Sequence, residues 1–237
     1  MQTSSDVIKE LSKYADPDKA SFFPKFFRTG KGEYGEGDKF IGVTVPNQRK
    51  LAKKFRDIDF KELRKLIKSP IHEHRLVSLL ILVLKYERGD YKDKEKTVVF
   101  YLDNLNGVNN WDLVDSSAHK ILGPWLLNKD RGMLYKYARS GQLWLQRISI
   151  ITTLHFIKNN QLDDTFQISE ILLGHDHDLI HKAVGWMLRE AGKKDENSLI
   201  KFLENHYSAI PRTTLRYSIE KFDKKSRKKI LEGDFRK

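Results

Sequence analysis

The 237-residue chain has no cysteine. That excludes a disulfide framework, a thiol nucleophile and thiolate zinc sites, and leaves any metal to histidine and carboxylate. Proline and glycine are few, six and fourteen, and alternating strand patterns are nearly absent. The longest apolar run, Leu79 to Leu84, falls far short of the ~20 residues that cross a bilayer. The opening stretch MQTSSDVIKELSKYADPDK has neither a basic leader nor an apolar core, so a soluble cytoplasmic protein without a secretory signal is expected. What the chain has in excess is positive charge: 44 Lys+Arg against 32 Asp+Glu give a formal +12. Hydrophobic residues at 39% and aromatics at 11% suffice for a buried core, so the charge is not that of a disordered tail. It calls for a polyanion, with nucleic acid ahead of acidic lipid.

Apolar residues recur at spacings of three and four, which predicts helices over 6–14, 46–55, 60–67, 71–86, 111–122, 143–157, 166–173, 179–191, 198–206 and 213–222. The best strand candidate, Phe40 to Val45, runs into Pro46 with no partner within hairpin distance. It reads as an extended lead into a helix with Pro46 at its first position. A polar residue followed by a small apolar cluster recurs at Arg75, Asp112, Arg147, Lys182 and Arg216, in steps of 37, 35, 35 and 34 residues. Such a period is one helical pair, and pairs that cannot bury their apolar faces alone stack into an α-solenoid. The fold class is therefore all-α, residues 1–237 forming a single domain of HEAT-like antiparallel pairs. If the marked helices are the inner ones, Arg75, Arg147, Lys182, Arg189 and Arg216 make the concave groove basic and suited to a duplex. The last 17 residues hold eight basic and three acidic side chains, a further +5, although a charge run alone names no partner.

Four motifs carry candidate chemistry. Gly30 to Gly35 matches G-x-G-x-x-G, but no strand precedes it and Glu33 and Glu36 would face a pyrophosphate, so it is a glycine-rich surface loop. His177 and His181 have a spacing that permits metal chelation but there is no H-E-x-x-H, and Asp176 or Asp178 serves there as a helix cap. In Asn109-Asn-Trp-Asp-Leu-Val-Asp115, Asn110 caps a helix opened by Trp111. Asp115 then lies one turn on and about 40° away, at the margin of the stripe Val114, Ala118 and Ile121. There a carboxylate either pairs structurally or does chemistry. Trp186 projects opposite Val184, between Lys182 and Arg189, and reads as an exposed indole in need of a partner. Arg147 falls within the apolar stripe of Ile151 and Leu154, where its charge requires a counter-charge such as Asp115 or a ligand phosphate.

Trp111-Asp-Leu-Val-Asp115, Trp144-Leu-Gln-Arg147 and His181-Lys-Ala-Val-Gly-Trp186-Met-Leu-Arg189 resemble, in order and separation, the signature segments of the AlkD family of bacterial DNA alkylation repair glycosylases. Phe40 to Arg49 is similar to the stretch that opens the family's second repeat. The resemblance implies a HEAT-like solenoid around duplex DNA that hydrolyses the N-glycosidic bond of cationic N3- or N7-alkylpurines, with no cofactor or metal, as a monomer and without base flipping. It implies that Trp111, Asp115 and Trp186 form the catalytic pocket and that Arg147 holds a backbone phosphate; Lys182 and Arg189, from the basic groove, and Arg49 are expected as further DNA contacts. Two departures stand out. Asn110 replaces a second tryptophan, which questions the packing around Trp111, and the loop Gly30 to Asp38 is longer than the family's. The alternatives from the residues alone are a non-catalytic helical scaffold using the same groove and a metallohydrolase built on His177 and His181.

Overall fold

The computed structural model describes residues 2–235. Met1 and the last two residues of the basic tail, Arg236 and Lys237, lie outside the described residues. Among the described residues there are fourteen α-helices and no strand. In the first half these are α1 (Ser4–Ser12), α2 (Pro17–Phe26), α3 (Val45–Lys54), α4 (Phe60–Ile67), α5 (His72–Arg88), α6 (Tyr91–Asp103) and α7 (Trp111–Leu126). In the second they are α8 (Gly132–Ala138), α9 (Leu143–Lys158), α10 (Asp163–Leu172), α11 (Asp178–Gly192), α12 (Glu196–Asn205), α13 (Arg212–Ser218) and α14 (Lys224–Leu231). Side-chain carboxylates start many of them: Asp16, Asp59, Asp90, Asp195 and Asp223 each accept first-turn amides, and Thr3 and Asp6 form a capping box.

The chain divides into two compact units, one ending at Ser117 and the other starting at Ala118, so the boundary falls inside α7. In the first unit α3 and α4 both pack on α5, whose Leu76, Leu79, Leu80 and Leu82 are buried with Leu51, Leu63 and Leu66. In the second, α11 packs on both α9 and α13, burying Ile148, Ile151, Ile180, Val184, Leu188 and Leu215. The five recurring segments fall on α5, α7, α9, α11 and α13, every second helix in chain order, and α5, α9 and α11 each pack on the helix that follows. The period read from the sequence is thus one helical pair, and the architecture is all-α and of the repeat type.

Four helices escaped the periodicity: α2, α6, α8 and α14. α2 has no buried residue, α14 buries only Ile230, α8 has seven residues, and α6 opens on the charged run KDKEK. None carries a clean apolar stripe. The segment expected over 213–222 stops at Ser218, and Asp223 starts α14 by capping it. Phe40 to Thr44 is neither helix nor paired strand, with an isolated bridge from Lys39 to Ile71 beside it; α3 starts at Val45, so Pro46 takes its second position rather than the expected first.

Candidate active site

The first unit builds a wall of aromatic rings on a buried ionic cluster. Asn110 precedes α7, and its carbonyl accepts the amide of Val114 while its side-chain oxygen accepts that of Trp111 at 2.8 Å. This cap fixes where the Trp111 indole emerges. The indole stacks on Phe27, with centroids 5.4 Å apart and planes 18° from parallel, and meets Phe26 edge-on at 5.9 Å. Phe27 stacks in turn on Phe40 at 5.0 Å, and both phenyl rings lie 4.8 Å from the imidazole of His72. Such contacts add to area burial and favour these offset and edge-on arrangements.

His72 opens α5 and is buried. Its Nδ1 lies 2.9 Å from Asp38 and its Nε2 2.9 Å from Asp112, while Arg75 donates to the second Asp38 oxygen at 2.6 Å. Burial alone would push His72 toward the neutral form, but the Asp112 charge and the hydrogen bonds to Asp112 and Asp38 raise its pKa from 6.5 to about 9. The ring is therefore an imidazolium at neutral pH, donating through both nitrogens. Burial would also raise the Asp38 carboxyl, yet the His72 hydrogen bond and the Arg75 guanidinium hold it below its ordinary value. Two anions and two cations thus cancel inside the unit, as buried charges must. Oδ1 of Asp112 has no partner among the described residues, so His72 is what holds that carboxylate. Beside this cluster the Glu73 carboxylate accepts the amides of Ile41, Gly42 and Val43 at 2.8 to 3.2 Å, tying the extended segment to α5.

These contacts account for both departures from the family pattern. Asn110 is buried, reaching back to Asp38 at 3.5 Å, and Phe26 and Phe27 supply the aromatic backing of Trp111. The long loop also packs on Asn110: a Cβ at Gly35 would lie 2.6 Å from the Phe27 carbonyl oxygen and 3.1 Å from the Asn110 amide nitrogen, so only glycine permits that approach.

Asp115 follows Trp111 by one turn of α7 and is half-buried, at the margin of the buried Val114, Ala118 and Ile121. Arg49 is exposed on α3. The second unit holds the remaining candidates. Arg147 is buried and donates to the Leu179 carbonyl in the first turn of α11. Lys182 pairs with Asp178 at 2.6 Å, and Arg189 is met by Glu190 and Glu220. Trp186 is half-buried rather than exposed. α11 approaches α13 closely at Gly185, where a Cβ would lie 2.5 Å from that of Tyr217.

Two expectations are corrected. Arg75 is not an exposed groove cation: it is buried, donating to Asp38 and to the Ser69 carbonyl, at the edge of a cavity it shares with Glu36, Lys68 and Asp103. The α11 cap is neither Asp176 nor Asp178 but His177, whose Nδ1 accepts the Leu179 amide. His181 is engaged through Nε2 with the His175 carbonyl, so both histidines have local structural work. Among the described residues no group of three or more metal-ligating side chains is assembled.

Sequence reasoning missed His72, Asp38, Phe27 and Phe40. The available signal was Arg75 and Asp112, opposite charges at one repeat position on successive first helices.

A solved structure described as a predicted DNA alkylation repair enzyme from Enterococcus faecalis superposes with a TM-score of 0.68 at 15% identity, covering 89% of this chain and 97% of that one. At that identity the likeness speaks for the fold. No curated protein matches the sequence. A family model for DNA alkylation repair enzymes matches residues 7–222, nearly the whole chain, and the protein belongs to that family.

Proposed function

We propose that this DNA alkylation repair enzyme is a monofunctional DNA glycosylase. It would release cationic N3- and N7-alkylpurines such as 3-methyladenine and 7-methylguanine from duplex DNA without extruding the base. The observation that carries the reading is the mounting of Trp111 on a fixed stack of rings, with the half-buried Asp115 one helical turn away on the same side of α7. An alkylated purine is already positive and leaves without protonation, so no general acid is needed. The sugar becomes oxocarbenium-like, and the Asp115 carboxylate opposes that charge and orients the attacking water. The indole face of Trp111 attracts the same cation, worth ~0.5–2 kcal/mol, while Trp186, in the second unit, is assigned to catalysis by the family resemblance alone. The formal +12 supports a DNA backbone partner.

In the second unit the cations assigned to phosphates are partly committed. Arg189 has two carboxylate partners and Lys182 one, so a phosphate there would displace them. Arg147 is buried and already held by a carbonyl, so a phosphate there would meet an ordered but largely covered guanidinium. The test is single-turnover release of 7-methylguanine from methylated duplex DNA. Duplex binding with no base release by the native protein would select the non-catalytic scaffold instead.

A further inference from the structure

We propose that His72 is a positioning residue of this site, a double-ended clamp that holds α7 against the Phe27–Phe40 wall and so sets Trp111 and Asp115 for base release. This rests on the glycosylase reading above.

The geometry leaves the ring few alternatives. One nitrogen meets Asp38, on the segment that follows Phe27, and the other meets Asp112, in the first turn of α7 between Trp111 and Asp115. Phe27 and Phe40 both lie 4.8 Å from the ring and 5.0 Å from each other, so they back it from the same side. The clamp therefore joins the two elements whose rings must stay stacked, Phe27 from the α2 side and Trp111 from α7. Only the doubly protonated imidazole donates to both carboxylates. Either neutral tautomer turns a lone pair on a carboxylate oxygen 2.9 Å away, so the ring ties α5 to the loop or to α7 but not to both. Asp38 keeps Arg75 when His72 lets go, whereas Asp112 has a second oxygen that already lacks a partner. The charged groups facing the ring are Asp38 from the loop, Asp112 from α7 and Arg75 from α5 itself. Glu73 and His74, on the same turn, are occupied with the amides of residues 41–43 and with Ser69. Nothing in this arrangement touches substrate, so the effect runs through Trp111 and Asp115.

The experiment follows single-turnover 7-methylguanine release and duplex affinity from pH 6 to about 9.5, corrected for spontaneous loss, beside an NMR titration of the His72 ring. The native rate should fall on an alkaline limb that coincides with the ring titration, while duplex affinity stays within a few-fold. His72→Asn should release base at least about tenfold more slowly and show no such limb. Asp112→Asn removes the ring's main charge partner but keeps an acceptor, so it should move the ring titration and the kinetic limb together to lower pH. It serves as well if His72→Asn fails to fold. A limb that persists in His72→Asn, or one that stays in place while the ring titration moves in Asp112→Asn, overturns the role of His72 and leaves the glycosylase intact. Absence of release by the native protein at every pH overturns the glycosylase reading and this role together.

Discussion

Conformational stability should decline between pH 6.5 and 9, a range in which few other groups change charge. The cause is His72, whose pKa stands at about 9 in the folded protein against 6.5 for the ordinary side chain. Below 6.5 the ring is protonated in folded and unfolded chains alike, and the full preference of the folded state for the imidazolium is present. Above 6.5 the unfolded chain releases the proton and the folded one does not. Unfolding then becomes easier with each step in pH, until the folded ring also loses its proton near 9. At 1.36 kcal/mol per pH unit the loss amounts to about 3 kcal/mol, a large part of a typical stability of ~5–15 kcal/mol. Urea unfolding at closely spaced pH values measures it directly. The double variant His72→Asn/Asp112→Asn, which replaces one ion pair by amides of similar shape, supplies the control without an unpaired buried charge. Its stability should stay level across the same window. A native curve that is flat from pH 6.5 to 9, or a decline that survives in the double variant, would refute the assignment of a buried imidazolium.

On the acid side the sign reverses, because burial lowers His74 to about 4 and His119 to about 3. Protonation of these rings favours the unfolded chain, so stability falls as pH drops below 6.5, and thermal melts should peak near that value. Asp115→Asn keeps shape but deletes the charge opposing an oxocarbenium, so base release should drop by ~10²-fold with duplex affinity within a few-fold. Near-native release would reject the assignment. Glu73→Ala leaves two buried amides and one part-buried amide without their acceptor. It should cost ~3 kcal/mol or more and lower the melting temperature by about 10 °C in a chain of this length. Gly185→Ala would bring a methyl group within 2.7 Å of the Thr214 carbonyl oxygen, forcing α11 and α13 apart at a cost of ~1–3 kcal/mol in a denaturant titration.

What was legible in the sequence follows from how each feature is encoded. α11 buries one face and α5 and α9 are buried nearly all round, and a dense run of apolar residues at helical spacing records that burial directly. The 34- to 37-residue recurrence is matched by packing in the second unit, where α11 lies against both α9 and α13. α2 is encoded differently: it exposes Phe22 and Phe26 at 57% and 51%, and Phe26 meets Trp111 rather than joining a core stripe. The cluster beneath Trp111 is non-local, with Asp38 and His72 separated by 34 residues and His72 and Asp112 by 40. No window of sequence contains it, and Asp112 reads as a spacer between Trp111 and Asp115. Trp186 looked exposed because helical geometry places it opposite the α11 stripe. A stripe, however, describes one helix in isolation, and the indole is partly covered.

Burying the Asp38, His72, Arg75 and Asp112 charges separates two kinds of electrostatics that a basic protein usually mixes. Counterions compete with exposed lysines and arginines for an anionic partner, and at 1 M salt the screening length shrinks to about 3 Å. They have little access to four groups that are each less than a tenth exposed. Concentrated salt should therefore strip the protein from a polyanion while the Trp111 wall keeps its form. A column step or a rapid salt jump would return the unloaded protein ready to bind again, with no refolding required.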